Sequence, residues 1–279
     1  MAFSTDSPTG SRPGSRFGCL LIHGYGGTPF EMEGIARALT AEGITVSLPT
    51  LPGHGFGHEP GCEPGHGNGK GDFASFRFDD WLSFVENELA LLRAKCDKVA
   101  IVGGSMGGTL ALNLASRFPV AGIAVISTPL YVLHVSPWPL RHAVFYASSG
   151  LEQLSRLLGG GKKGEGEARE TSRSIAPWKG YAGPLNLAQL YSFRKGCITT
   201  RKLLPGLTAP LLVMHDANDR IVYSGNACEI ARRVASSSIT VRFTRISETI
   251  TRHHMIVTHR ETESFVTETV TKFCLSCGG

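Results

Sequence analysis

The sequence predicts an α/β fold with a mostly parallel central sheet, helices on both faces and a small inserted helical cap. Strand-like and helix-like segments alternate from residue 17 onward, and one strand-like run leads into a glycine-rich turn around Ser105. The alternation breaks over residues 129–205, where aromatic and apolar helical pieces occur instead. We therefore predict a core of residues 17–128 and 206–279, with a helical cap over residues 129–205.

Length and composition indicate one enzyme-sized globular protein. The 279 residues are 42% hydrophobic and 18% charged, which is typical of a folded core domain that carries an inserted subdomain. The formal net charge of +5 comes without a dense run of lysine and arginine. Nucleic acid is therefore not expected as the main partner.

The N-terminal segment and the cysteines bear on cellular location. Residues 1–16 are rich in Ser, Gly and Pro and lack the hydrophobic segment of a secretory signal, so we expect a mobile leader. No stretch approaches the ~20 apolar residues that span a bilayer, so no integral membrane segment is predicted. Seven scattered cysteines, including a lone CxxC pair at Cys274 and Cys277, favour reduced thiols and a cytoplasmic location.

Each predicted element follows from local signals. The predicted strands are apolar runs bounded by turn residues, at 17–24, 44–49, 98–104, 121–127, 209–216 and 239–246. The predicted helices of the core lie at 28–43, 79–95, 106–118 and about 258–273. In the first of them we expect Thr28 to cap the N-terminus, Glu31 to complete a capping box and Gly43 to end the helix. Within the cap, the glycine-rich and charged stretch 159–174 is predicted to be a mobile connection.

The glycines around Ser105 predict a sharp turn from strand to helix. Gly103-x-Ser105-x-Gly107 stands where an apolar strand passes directly into a helix. A serine at such an elbow adopts a strained backbone, and side chains two residues before and after it would collide, so glycine is needed at both positions. The hydroxyl is then exposed at the start of a helix, as a nucleophile requires. The alternative is a packing turn or a phosphate loop, but the Lys-Ser/Thr of a P-loop and the full dinucleotide fingerprint are missing.

A serine nucleophile needs a base within hydrogen-bond reach and an acid that orients the base. At an elbow of this kind the chain order is serine, then acid, then histidine. Asp216 and Asp219 both follow the apolar run LLVMH, and we choose Asp219 because it directly precedes the RIV run that resumes packing. Asp216 stands where a turn residue is wanted.

Three histidines after the last strand are candidates for the base. His254 is preferred because it heads the apolar MIV run that begins the last helical stretch. His253 remains the alternative, since the sequence does not reveal how the loop turns. His259 is expected on a solvated helix face.

The oxyanion of an acyl-transfer reaction needs two backbone amides. Met106 is expected to supply one, and Tyr25, in the HGYGG loop after the first strand, is expected to supply the other. Each well-placed donor is worth about 3 kcal/mol in the transition state. The His23 side chain at the start of this loop is interpreted as a turn-stabilising group.

Taken in order, these motifs resemble the α/β-hydrolase family over about residues 17–273. The similarity rests on HGYGG at 23–27, GGSMG at 103–107, DRIV at 219–222 and the histidine at 254. PGHG at 52–55 and the length of the cap bring the chain closest to compact bacterial carboxylesterases and monoacylglycerol-lipase-like relatives.

The resemblance implies an α/β-hydrolase fold and acyl-ester hydrolysis through an acyl-enzyme. Ser105 would attack the carbonyl, His254 would take and return the proton, and Asp219 would fix the imidazole tautomer. The amides of Tyr25 and Met106 would hold the oxyanion.

The chain departs from the family pattern in two places. His253 precedes the preferred base, where relatives often have glycine. The segment after PGHG is longer than in compact relatives, and it spaces four potential metal ligands four residues apart, at His54, His58, Cys62 and His66. Seven glycines and two prolines within 55–71 forbid a helical metal face, which leaves ligation by a wrapped loop or a mobile loop beside the pocket mouth. The implied chemistry requires no metal and no cofactor.

The cap supplies the candidates for substrate binding. Aromatic side chains predicted to line an acyl pocket are Trp138, Phe145, Tyr146, Tyr191 and Phe193, although many cap residues must fill the core of the cap itself. A long, strongly hydrophobic lid is not apparent, so we expect short- to medium-chain acyl groups.

The leading hypothesis is a serine carboxylesterase that acts on a small-molecule ester, with monoacylglycerols among the candidates. The alternatives are thioester hydrolysis or acyl transfer with the same three residues, and a binding protein of the same fold without catalysis. Monomer and dimer are both left open.

Overall fold

A computed structural model of the chain describes residues 16–55, 73–131, 166–181 and 186–279. The described strands form one sheet in the order β2-β1-β3-β4-β5-β6, and every neighbouring pair is parallel. The strands are β1 (Phe17–Ile22), β2 (Thr45–Ser47), β3 (Lys98–Gly104), β4 (Gly122–Ile126), β5 (Leu211–Asp216) and β6 (Ile239–Thr244). The predicted parallel sheet is therefore confirmed, strand by strand.

The helices connect these strands and cover both faces of the sheet. The α-helices are α1 (Glu33–Ala41), α2 (Phe78–Arg93), α3 (Met106–Ala115), α4 (Gly166–Ile175), α5 (Leu187–Leu203), α6 (Gly225–Arg233) and α7 (Glu263–Gly278). Short 3-10 turns lie at Pro29–Met32, Phe73–Ser75 and Leu204–Gly206. Among the described residues, none of the helices is both long enough and apolar enough to cross a membrane.

The side chains of each strand point alternately to the two faces of the sheet, and this divides the core into two layers. On β1, Leu20 and Ile22 belong to the apolar cluster that includes residues of α2, α3, α5 and α6. Cys19 and Leu21 belong to the opposite cluster, with residues of α1 and α7. Successive side chains of a strand point to opposite faces, so a strand buried on both faces reads as one continuous apolar run. The prediction of helices on both faces is confirmed.

The first predicted helix begins later and differently than expected. Residues Pro29–Met32 form a 3-10 turn, and α1 starts only at Glu33. The Thr28 hydroxyl does not cap this turn but donates to the Lys179 carbonyl oxygen at 2.7 Å. Glu31 forms no capping box, because its carboxylate accepts hydrogen bonds from Gly24 and Trp178 instead. The predicted cap is therefore wrong at both residues.

Three further differences concern the helices: where one begins, and two that were not expected. Helix α7 begins at Glu263 rather than near residue 258, because the preceding residues form turns in which the Thr262 hydroxyl donates to the Ile256 carbonyl oxygen. Helix α6 was not predicted. Helix α4 occupies part of the stretch expected to be a mobile connection, and buried Ile175 anchors its end.

The part of the chain predicted to be a cap contains α4 and α5, between β4 and β5. Helix α5 packs on α2 and α3, and its Asn186 side chain caps its N-terminus by accepting from the Ala188 and Gln189 amides. The limits of the cap remain a prediction, as does the leader, because most of residues 1–16 and all of 132–165 lie outside the described ranges.

Parallel strands place their carboxyl ends at one edge of the sheet, where ligand sites of such folds lie. The segments after β1, β3, β4, β5 and β6 therefore meet there, and these are the segments that carry the predicted site residues. The fold thus brings together residues that are more than a hundred positions apart in sequence.

Candidate active site

Ser105 occupies a strained elbow between β3 and α3. Its backbone has φ 50° and ψ −121°, a conformation that costs a residue other than glycine of the order of 1–3 kcal/mol. The Ser105 amide donates to the Ile126 carbonyl oxygen at 2.8 Å, which ties the elbow to the end of β4. The strained backbone that the glycine pattern predicted is therefore present at Ser105 itself.

The flanking glycines leave no room for a side chain. A Cβ on Gly103 would lie 2.3 Å from the Gly107 carbonyl oxygen, and a Cβ on Gly107 would lie 2.2 Å from the Ile22 carbonyl oxygen. Both obstacles are backbone atoms that cannot move aside. The predicted crowding is confirmed, although Gly107 is crowded by the end of β1 rather than by the elbow itself.

A continuous chain of hydrogen bonds joins Ser105, His254 and Asp219. The Ser105 Oγ lies 3.0 Å from His254 Nε2, and His254 Nδ1 lies 2.8 Å from Asp219 Oδ2. A carboxylate only accepts hydrogen bonds, so His254 Nδ1 carries the proton and Nε2 is free to accept from the serine hydroxyl. The arrangement allows the imidazole to take a proton from Ser105 while the carboxylate steadies the resulting charge.

Asp219 is held by its own loop as well as by the histidines. Its Oδ1 accepts from the amides of Ile221 at 2.8 Å and Val222 at 2.9 Å. Burial raises the pKa of Asp219, but hydrogen bonds from His215 and His254 outweigh the burial and lower the pKa to about 2. The carboxylate is therefore ionised at neutral pH.

Asp216, the alternative acid, has a different set of partners. Its Oδ2 accepts from the Thr244 hydroxyl and the Ile246 amide, both at 2.9 Å, and its Oδ1 accepts from the Asn218 amide. These contacts join the ends of β5 and β6 and shape the turn that leads to Asp219. Asp216, the last residue of β5, thus fixes the turn that follows the strand, in agreement with the reason for not choosing it.

His253 and His259 point away from Ser105, toward the loop that precedes the proposed base. His253 Nε2 donates to the Glu248 carbonyl oxygen at 2.7 Å, and His259 Nε2 lies 3.2 Å from Glu248 Oε1. The expectation that His259 is solvated on a helix is wrong, because it is 1% exposed and precedes α7. Burial raises the pKa of Glu248, but hydrogen bonds from Thr251, His259 and neighbouring amides lower it to about 2.

The backbone of His254 is fixed by a residue that the sequence analysis did not identify. The Ser127 hydroxyl, at the end of β4, donates to the His254 carbonyl oxygen at 2.9 Å. Ser105, Ser127 and His253 are the described residues other than glycine that have positive φ. All three adjoin this site, which is where backbone strain tends to concentrate in proteins.

The loop after β1 lies against the elbow. A Cβ on Gly24 would come within 3.2 Å of Ser105 Cβ. The Tyr25 amide has no backbone acceptor among the described residues, and the Met106 amide, as the first of α3, has no partner within its helix. The assignment of these two amides as oxyanion donors stays a prediction, with which their lack of a backbone acceptor among the described residues is consistent.

The side chains of this loop have structural partners. The Tyr25 hydroxyl donates to Gln189 Oε1 of α5 at 2.8 Å. His23 is fully buried, with Nδ1 3.0 Å from the Gly24 carbonyl oxygen and Nε2 accepting from the Leu51 amide at 3.1 Å. Burial lowers the pKa of His23 to about 4. His23 is thus the turn-stabilising group that the sequence indicated.

Two buried polar residues in contact with the site were missed. His215 Nε2 lies 3.1 Å from Asp219 Oδ2, and the Glu31 carboxylate accepts from the Gly24 amide at 2.9 Å. The signal for His215 was a polar residue inside the buried run LLVMHD. Glu31 had no comparable signal, because a glutamate after Thr-Pro fits a capping box equally well.

The cap candidates have mixed outcomes. Trp138, Phe145 and Tyr146 lie outside the described residues. Phe193 is buried against Phe78 of α2, with ring centroids 5.8 Å apart, so it packs in the core and its contacts give no support to a substrate-binding role.

Tyr191 is half-buried, with the Lys195 ammonium 4.8 Å from its ring centroid, and its assignment to an acyl pocket stays a prediction.

Of the four spaced ligands after PGHG, only His54 is described, and it is buried with Nδ1 3.1 Å from the Pro52 carbonyl oxygen. His58, Cys62 and His66 lie outside the described ranges. Within the described part of the chain, no three His, Cys, Asp or Glu side chains are grouped so as to hold a metal ion.

Comparison with known proteins identifies similar chains. Residues 19–258 match the model of the alpha/beta hydrolase family. A thermostable monoacylglycerol lipase from Bacillus sp. (strain H-257) is 30% identical over 223 residues, which cover 79% of this chain and 77% of the lipase.

Solved structures share the fold. One from the metagenome-derived lipolytic enzymes LipS and LipT has a TM-score of 0.69 at 21% identity, covering 94% of this chain and 95% of that one. A monoacylglycerol lipase from Paleococcus ferrophilus also has a TM-score of 0.69, at 16% identity, with coverage of 95% and 96%.

Proposed function

The chain belongs to the α/β-hydrolase family, and on that premise we propose that it is a serine carboxylesterase acting on short- to medium-chain acyl esters. The observation that carries the proposal is the hydrogen-bonded chain from Ser105 Oγ through His254 to Asp219, at 3.0 Å and 2.8 Å. Monoacylglycerols are the proposed substrate class, supported by 30% identity to a relative named as a monoacylglycerol lipase.

The proposed reaction proceeds in two halves. Ser105 Oγ attacks the ester carbonyl carbon while its proton passes to His254 Nε2, and the amides of Tyr25 and Met106 stabilise the oxyanion. The tetrahedral intermediate collapses when His254 returns the proton to the leaving alcohol, which leaves the acyl group on Ser105. Water, deprotonated by His254, then attacks the acyl-enzyme. The second tetrahedral intermediate collapses as His254 returns the proton to Ser105 Oγ, which releases the carboxylic acid and regenerates the serine. Asp219 stays ionised throughout and keeps the proton of His254 on Nδ1.

A series of p-nitrophenyl esters from acetyl to dodecanoyl, together with a monoacylglycerol, tests this proposal. Turnover that varies with acyl length and is lost in Ser105→Ala supports it. Deleting one hydroxyl leaves no cavity of consequence, so the variant should remain folded. Full activity in Ser105→Ala contradicts the proposal, and so does the absence of both turnover and acylation in the wild type.

The cytoplasmic location belongs to the same proposal. The six described cysteines are all free thiols, which supports a reducing compartment. Fractionation of cells that express the tagged chain tests the location, and recovery outside the cytoplasm would contradict it.

A further inference from the structure

Glu31 is a buried carboxylate between two segments that flank the proposed oxyanion site. One is the oxyanion loop, residues 24–27, and the other is a strap of residues 177–181 that follows α4. Glu31 Oε2 accepts from the Gly24 amide at 2.9 Å, and Oε1 accepts from the Trp178 indole Nε1 at 2.8 Å. Glu31 is only 5% exposed and belongs to no part of the reaction described above.

Other hydrogen bonds join the strap to the same region. The Tyr181 amide donates to the Gly26 carbonyl oxygen at 2.6 Å, and the Thr28 hydroxyl donates to the Lys179 carbonyl oxygen at 2.7 Å. The strap is therefore seated along the oxyanion loop and the turn after it. Glu31 is the group whose two oxygens reach both segments at once.

The direction of the Tyr25 amide depends on how the Gly24 peptide is held. The Gly24 carbonyl oxygen accepts from the Gly27 amide at 3.1 Å and lies 3.0 Å from His23 Nδ1. A trans peptide is planar, so fixing this carbonyl turns the Tyr25 N–H to the opposite side. Glu31 holds the other end of the same residue through the Gly24 amide.

The site requires a carboxylate rather than another polar side chain. An ionised carboxylate offers acceptors on both oxygens and no donor, whereas an amide offers one accepting oxygen. Gly27 leaves the space that the carboxylate fills, because a Cβ there would lie 2.0 Å from Glu31 Oε1. Burial raises the pKa of Glu31, while hydrogen bonds from the Gly24 amide and the Trp178 indole act in the opposite direction.

We infer that Glu31 is a positioning residue that couples the strap to the oxyanion loop. Its carboxylate accepts hydrogen bonds from both Trp178 and Gly24 and thereby keeps the Tyr25 amide aimed at the oxyanion. The inference rests on the proposed esterase function. It assigns to the strap a role in transition-state stabilisation that is distinct from substrate binding.

The test compares Glu31→Ala, Glu31→Gln and Trp178→Phe with the wild type, using one p-nitrophenyl ester. Active sites are counted by stoichiometric phosphonate titration, so that kcat is expressed per functional site. Since one oxyanion donor is worth about 100- to 1000-fold, we expect partial misalignment in Glu31→Ala to lower kcat about 100-fold, with KM within about twofold. Glu31→Gln and Trp178→Phe each retain part of the bridge and should lose about tenfold.

Two controls separate positioning from general stability. Glu33→Gln alters a neighbouring surface carboxylate that pairs with Arg37 at 3.4 Å, and it should leave kcat unchanged. The double variant Glu31→Ala/Trp178→Phe should be no slower than Glu31→Ala, because both changes break the same bridge.

An unchanged kcat per titrated site in Glu31→Gln and Trp178→Phe overturns the inference, even if fewer sites titrate or the protein melts earlier. If the wild type turns over the ester while these variants match it, the role of Glu31 alone is refuted. If the wild type is inactive, the proposed function fails and the role of Glu31 fails with it.

Discussion

His215 Nε2 lies 3.1 Å from Asp219 Oδ2, the oxygen that also accepts the Nδ1 proton of His254 at 2.8 Å. The same His215 nitrogen lies 3.1 Å from the Val222 carbonyl oxygen. Both neighbours only accept hydrogen bonds, so Nε2 is protonated and donates to them. Asp219, the proposed acid, is thus oriented by the imidazole of His215 in β5, and it in turn orients the imidazole of His254.

Removing this donor should slow the reaction without abolishing it. His215→Met fills the space with an apolar side chain of similar size and removes the hydrogen bond, whereas His215→Gln keeps a donor at the position of Nε2. A hydrogen bond to a charged group contributes about 1.5–3 kcal/mol, so we expect His215→Met to lower kcat/KM by about 10- to 100-fold. Steady-state kinetics on a p-nitrophenyl ester measure the effect. Equal rates in the Met and Gln variants would show that the donor does not matter.

The two adjacent histidines should differ sharply in function. His254→Gln removes the proposed base and should lower kcat/KM by about 1000-fold or more. His253→Gly removes only a structural contact and replaces a residue with φ 56° by one that adopts this conformation without strain, so activity should stay within about tenfold. Rate measurements on folded variants decide the matter, and a dead His253→Gly beside an active His254→Gln reverses the assignment.

The elbow glycines should be far less tolerant than their neighbour in sequence. Gly107→Ala drives a Cβ into the Ile22 carbonyl oxygen, whereas Gly104→Ala meets only the Met32 Cε atom, the end of a flexible side chain. We expect Gly107→Ala to lower the free energy of unfolding by about 3 kcal/mol and Gly104→Ala by less than about 1 kcal/mol. Urea denaturation measures both values, and similar losses would contradict the packing argument.

Stability should fall in mildly acidic solution because of buried histidines. Burial lowers the pKa of His23 to about 4 and holds the pKa of His54 well below its ordinary value. The unfolded chain therefore binds more protons between about pH 6.5 and pH 4, and the stabilisation present above pH 6.5 is lost as pH falls through this range.

The limiting slope is about 1.4 kcal/mol per pH unit for each such histidine. Urea unfolding at about pH 7 and about pH 5 checks this expectation, and proton uptake on unfolding at about pH 5 gives an independent count. His23→Asn should reduce the slope by the share of one proton. Equal stability at both pH values would contradict the prediction.

The sheet and the three hydrogen-bonded residues could be predicted because their signals are local. Short apolar runs bounded by turn residues indicate the strands, and Gly103 and Gly107 mark the elbow within five residues of chain. Asp219 and His254 follow from the chain order that such an elbow imposes. The preference for His254 over His253 agrees with the contacts, in which only His254 reaches Ser105.

The supporting residues could not be predicted because their contacts join distant parts of the chain. Glu31 meets Trp178 across 147 positions, and Ser127 meets His254 across 127. No periodicity or spacing encodes such pairs. Helix α6 was missed for a related reason, since few of its residues, such as Ala227 and Ile230, are buried apolar side chains.

The central claim is that Ser105 is the nucleophile, and covalent labelling tests it most directly. A fluorophosphonate should add one label per chain to the wild type, and mass spectrometry of the digest should locate it on the peptide that contains Ser105. His254→Gln should label far more slowly, because the hydroxyl then lacks its base. Modification of a different residue, or unimpaired labelling of Ser105→Ala, would contradict the account.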